Sequence, residues 1–148
     1  MKPTTSRAIM LAMVLAVGAA CGGTASDSGP ASVAVAKPAV AEALDIVALE
    51  FAFSGGAWTI PVGTDVAVHF ANRGSVEHEW AVLHEGRDIG RQSEFSEDRV
   101  LLEVEAIPWD SAVDQTIRVD EPGTYQVICA LHGHFDAGMT GTLYVEAA

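Results

Sequence analysis

Cysteine and positive charge are scarce in this 148-residue chain: two cysteines stand beside five histidines, and eight Lys and Arg face twenty Asp and Glu. Two cysteines make one disulfide at most, so a disulfide framework is excluded and the fold must rest on a packed core. A formal charge of −12 repels phosphate backbones, which excludes nucleic acid as a partner and favours positively charged ones. The apolar stretch at residues 8–20 is too short to span a bilayer comfortably. No dinucleotide fingerprint, phosphate-binding loop or internal repeat occurs. Helical periodicity is nearly missing too, which excludes an α/β fold.

What is present begins with an address. Lys2 and Arg7 precede that apolar stretch, so residues 1–20 read as a signal peptide. The run Val17-Gly18-Ala19-Ala20-Cys21-Gly22 resembles the bacterial lipoprotein processing box, although Gly18 stands where a large aliphatic residue is usual. Cys21 is then the expected lipid anchor, stable only if it carries more than one acyl chain. Residues 21–42, rich in Gly, Ala, Ser and Pro, read as a flexible tether, and residues 43–148 as the folded domain. The expected location is the periplasm or the outer face of the cell membrane.

Within that domain short β-branched and aromatic runs alternate with Gly- and Pro-containing turns. Residues 44–53 read as one strand and residues 58–60 as another. In residues 66–71, Val66, Val68 and Phe70 share one face, so His69 points outward. His78, Trp80, Val82 and His84 share a face of the next strand, with His84 roughly 20 Å from His78 along it. Residues 85–98 read as a charged surface excursion. A short helix over residues 96–102 and a strand over 100–107 are both compatible with the pattern. Seven or eight such strands predict an all-β, antiparallel Greek-key sandwich.

The chemistry concentrates in Cys129-Ala-Leu-His132-Gly-His134-Phe-Asp-Ala-Gly-Met139, a loop between two strand-like runs. Thiolate, imidazole and thioether are soft-to-borderline donors, and a trigonal His₂Cys set with a distant axial Met is the electron-transfer copper arrangement. The loop supplies Cys129, a histidine and Met139. His78, at the start of an alternating strand, is the best second histidine. Since Cys21 ends a targeting segment and Cys129 lies among metal ligands, no disulfide is expected.

These residues resemble the cupredoxins, the small type 1 blue copper proteins, over roughly residues 43–147. Cys129 to His134 and His134 to Met139 each leave four residues between, which is similar to the long-loop rusticyanin and sulfocyanin type. Gly133-His134-Phe-Asp-Ala-Gly138-Met139-Thr-Gly141 resembles that subfamily's Gly-His-x-x-x-Gly-Met-x-Gly run, and Asp120-Glu-Pro-Gly-Thr-Tyr125 its turn and strand before the cysteine. A plastocyanin-type short loop would use His132 instead, but Met139 then follows too late. The resemblance implies His78, Cys129, His134 and Met139 as ligands of one copper ion cycling between Cu(I) and Cu(II).

It also implies a carrier that shuttles single electrons and is no enzyme, expected as a monomer whose redox partners dock near His134 through Ala130, Leu131, Gly133, Phe135 and Ala137. One position departs from the family. Glu79 follows His78 where Asn or Ser is common, and either lies near the copper or points to solvent and leaves the Cys loop untied. The competing reading is a copper-binding or delivery protein using the same four residues. Multicopper enzymes need more histidine motifs, and a binuclear site needs a second loop cysteine.

Overall fold

A computed structural model describes residues 37–147. Nine strands follow one another: β1 (Ala43–Leu49), β2 (Ala52–Phe53), β3 (Ala57–Pro61), β4 (Val66–Asn72), β5 (His78–Leu83), β6 (Val100–Ile107), β7 (Ser111–Ile117), β8 (Gly123–Ile128) and β9 (Thr140–Glu146). They form a four-stranded sheet in the order β2-β1-β4-β7 and a five-stranded sheet in the order β3-β9-β8-β5-β6. No α-helix occurs among the described residues.

The all-β sandwich is the one expected from the patterning, with nine strands in place of seven or eight. Both sheets are mixed rather than purely antiparallel: β1 runs parallel to β4, and β3 parallel to β9. The chain crosses to the opposite sheet between those partners, and a crossover returns a strand in the same direction. Residues 44–53, which read as one strand, fold back at Glu50 and Phe51, pairing Ala48 with Phe53 and Leu49 with Ala52. Phe51 takes a left-handed backbone there, φ 54°, a conformation costly for a bulky residue and therefore invisible to propensity. The fold also starts before residue 43, because Ala41 N–H donates to Thr59 O (2.8 Å) and the Thr59 hydroxyl to Pro38 O (2.8 Å). The leader and Cys21 lie outside the described residues.

Alternation buries Val66, Val68 and Phe70 from β4 and Trp80 and Val82 from β5 in one core with Ile46, Ile60, Val127 and Leu143. Each such side chain contributes about 1.5–3 kcal/mol of burial. His69 points outward as predicted, 2.7 Å from Asp114. The opposite face of β5 is covered as well: Ala81, Leu83 and Ile128 pack with Ile89, and Phe95, Val100, Ala130 and Phe135 close over them. Residues 84–99 therefore form a lid on the five-stranded sheet. They contain two single 3₁₀ turns, Gln92–Glu94 and Glu97–Arg99, instead of a longer helix, and residues 100–107 are the strand β6.

Where β9 starts, its backbone lies very close to the start of its neighbour β3. A Cβ on Gly141 would lie 2.8 Å from Trp58 and 2.9 Å from the Gly56 carbonyl oxygen. Backbone cannot swing aside cheaply, so Gly141→Ala is expected to cost about 1–3 kcal/mol, read as a lower denaturant midpoint.

Candidate metal centre

The sandwich ends bring four segments to one place. β1 and β4 both end there, β5 begins there, and β8 and β9 are joined there by the loop at residues 129–139. His78 enters from β5, on the same inward face as Trp80, and is fully buried. Cys129 follows β8 directly and is also fully buried.

The loop closes on its own candidate ligands. Cys129 N–H donates to Met139 O (3.1 Å), and Met139 N–H to His134 O (3.0 Å). Gly133 (φ 84°) and Gly138 (φ 105°) supply the left-handed turns beside His134 and Met139. The first of these bonds continues the β8–β9 ladder, in which Ile128 opposes Thr140, and the second closes the loop on itself.

The result is a convergence of unlike donors. One ring nitrogen from each of His78 and His134 and the Cys129 sulfur lie within 4.8 Å of one another. His134 Nδ1 is 3.2 Å from the sulfur, and the two imidazole rings are 5.0 Å apart at 59°. Met139 is fully buried in the main core. His132 is exposed and does not belong to this group. His84 lies beyond the far end of β5 and is exposed as well.

Burial sets the electrostatics. It lowers the pKa of His78, helped by the neighbouring His134, and lowers that of His134, so both rings stay neutral and keep a lone pair. Burial also raises the Cys129 thiol from 9.0 to about 11. Neither ring nitrogen of His78 has a hydrogen-bonding partner, although leaving such a group bare costs about 1–3 kcal/mol. A metal ion satisfies this arrangement, since it needs neutral imidazoles and displaces the thiol proton.

Several supports escaped the residue pattern. Phe51 stacks edge-on against His134 with ring centres 5.1 Å apart. Asn72, buried at the end of β4, donates to Val76 O (2.7 Å) and Ile107 O (3.0 Å) and accepts from Gly74 N–H (2.9 Å), fixing the turn before His78. Glu50 accepts from Ser75 N–H in that same turn. A Cβ on Gly74 would lie 2.8 Å from His78 Nε2, so the glycine backbone itself forms one wall of the imidazole. The Asn-x-Gly spacing was a visible turn signal, but not its role.

Glu79 does something neither reading anticipated. Its Oε1 accepts from Ala130 N–H at 2.7 Å, so a carboxylate ties β5 to the residue after Cys129. Burial, offset by that hydrogen bond, raises its pKa.

The family model described as the sulfocyanin (SoxE) domain matches residues 48–148. Auracyanin-B of Chloroflexus aurantiacus is 29% identical over 110 residues, covering 64% of this chain and 47% of that protein. The chain thus spans about half the length of this relative. A solved auracyanin B structure superposes with a TM-score of 0.60 at 26% identity, covering 74% of this chain and 91% of that one. Auracyanin from Roseiflexus castenholzii gives 0.61 at 17% identity (72% and 98% covered). Rusticyanin from Thiobacillus ferrooxidans gives 0.56 at 20% identity (71% and 78% covered). The last two share the fold.

Two outcomes test the site's construction. Gly74→Ala is expected to push on His78 and weaken metal uptake while costing about 1–3 kcal/mol of stability, measured by metal titration beside a denaturation curve. For the metal-free chain, a thiol pKa raised in the folded state means that the unfolded chain loses its proton first. Stability should therefore be full below pH 9 and fall between pH 9 and about 11; Cys129→Ser should remove that decline in a pH series of unfolding curves.

Proposed function

From the chain's membership of the sulfocyanin (SoxE) domain family, and so of the cupredoxins, we propose a mononuclear type 1 copper protein that carries single electrons between exported or membrane-associated redox partners. The observation that carries this reading is the meeting of two neutral imidazoles and one thiol within 4.8 Å in a buried pocket. His78, Cys129 and His134 are the proposed equatorial ligands and Met139 the axial one. The copper, when bound, supplies one reversible electron and the visible absorption of a thiolate complex. As a cupredoxin the protein is a carrier and not an enzyme.

The chain's own residues serve that task by refusing to move. His78 is held by its strand and the Gly74 wall, and Cys129 and His134 by the backbone bonds to Met139. A site that keeps its shape in both oxidation states lowers the reorganisation needed for each transfer.

Docking near His134 is supported by where apolar surface remains. Leu49, Phe51, Val76 and Trp109 are four of the five large hydrophobic residues exposed among those described, and all four sit on turns or strand ends at the site's end of the sandwich. Residues 130, 131, 133, 135 and 137 are half-buried or exposed beside them. The acidic surface favours a partner with a basic rim. The proposed address remains export through residues 1–20, tethering by lipidated Cys21 and the residues that follow it up to the stretch paired with Thr59, and a monomeric domain whose strands begin at Ala43.

Visible absorption and EPR after adding Cu(II) test the assignment. An intense visible band with narrow copper hyperfine splitting is expected, lost in Cys129→Ala and His134→Ala and retained in His132→Ala. A colourless chain that still takes up Cu(I) would instead establish copper delivery.

A further inference from the structure

One side chain of the lid at residues 84–99 makes two hydrogen bonds to the ligand loop. Gln92 Nε2 donates to Ala130 O (2.8 Å), and Gln92 Oε1 accepts from Phe135 N–H (3.2 Å). Ala130 and Phe135 are the residues directly after Cys129 and His134. The Gln92 backbone N–H donates to Asp136 Oδ1 (2.7 Å), adding a third link to the same loop.

We propose that Gln92 is a positioning residue, whose amide clips together the backbone beside Cys129 and His134 and holds their separation. The inference rests on the copper reading for its purpose, while the clip itself is geometric. Ala130 is then held twice, its N–H by Glu79 from β5 and its C=O by Gln92 from the lid. An amide is the group this task needs, because it offers a donor and an acceptor from one planar end.

The lid is anchored firmly enough to act as a frame. Ile89 and Gln126 exchange two hydrogen bonds, Ile89 N–H to Gln126 Oε1 (2.8 Å) and Gln126 Nε2 to Ile89 O (3.0 Å), which fasten the lid to β8. Glu94 receives Gly90 N–H (2.8 Å) and Arg91 Nε (2.7 Å), folding the turn that presents Gln92. Beneath it, Ile89 and Phe95 pack with Ala130 and Phe135 in the smaller apolar cluster. The lid and the ligand loop thus share both an apolar floor and a polar clip. Residues 85–98, which as sequence read only as charged surface, become part of the site's support.

The test uses the full chain, copper-free and copper-loaded, with Gln92→Met, which keeps length and loses both hydrogen bonds, and Gln92→Glu, which keeps only the acceptor. In Gln92→Met, hydrogen exchange of the Phe135 amide should quicken about tenfold while Val127 and Leu143 exchange as before. In Gln92→Glu the Phe135 amide should stay protected. The copper-loaded Gln92→Met protein should show a changed copper hyperfine splitting and slower electron self-exchange. Unchanged Phe135 exchange, an equal quickening through β8 and β9, or an unaltered copper spectrum and self-exchange rate would overturn the proposal. Lack of a blue form in the unsubstituted protein would overturn the copper reading, and the exchange data would still decide whether the clip exists.

Discussion

The β8–β9 ladder is the constraint on which the site depends. It runs from Gly123 opposite Val145 to Ile128 opposite Thr140 and is prolonged by the bond from Cys129 N–H to Met139 O. Closing an eleven-residue loop between neighbouring strands costs little entropy once the ladder has formed. Three candidate ligands are therefore delivered by one closure, each tied to another through the backbone. The fourth, His78, arrives from β5, which pairs with β8 through Ala81 and Ile128. Both contributions are thus referred to the same strand.

Around that ladder the protein places polar ties where a loop would otherwise be free. Glu79 and Gln92 hold the two backbone groups of Ala130, and Asn72 holds the turn before His78. Each is a half-buried or buried group with its hydrogen bonds satisfied, so it adds specificity without an uncompensated desolvation cost. Among the described residues the buried side-chain nitrogens left bare are the two of the His78 ring and Trp80 Nε1, two residues further along β5. The bare imidazole of His78 stands within 4.8 Å of the Cys129 sulfur and a His134 nitrogen, which is the setting an ion would suit.

Much of this was legible before any fold was known. Strand alternation in residues 66–71 correctly put Phe70 inside and His69 outside, because one buried face imposes a period of two, whereas residues 78–83 are covered on both faces. The four-residue gaps around His134 separated it from His132, which the fold leaves exposed. Residues 44–53 misled, since nothing in their pattern marks the reversal at Phe51. Glu79 misled as well: its identity raised a question about charge, while its place answered a question about tying a loop.

The amino-acid sequence by itself determined the two-layer β architecture and offered the candidate donors and an export-type leader pattern, because side-chain period, ligand type and apolar run length are local properties of the chain. Only the tertiary structure decided that both sheets are mixed, that residues 84–99 cover β5 and reach the loop through Gln92, and that Gly74 walls His78. Those are contacts between residues far apart in the chain, and pairwise geometry of that kind has no period to read.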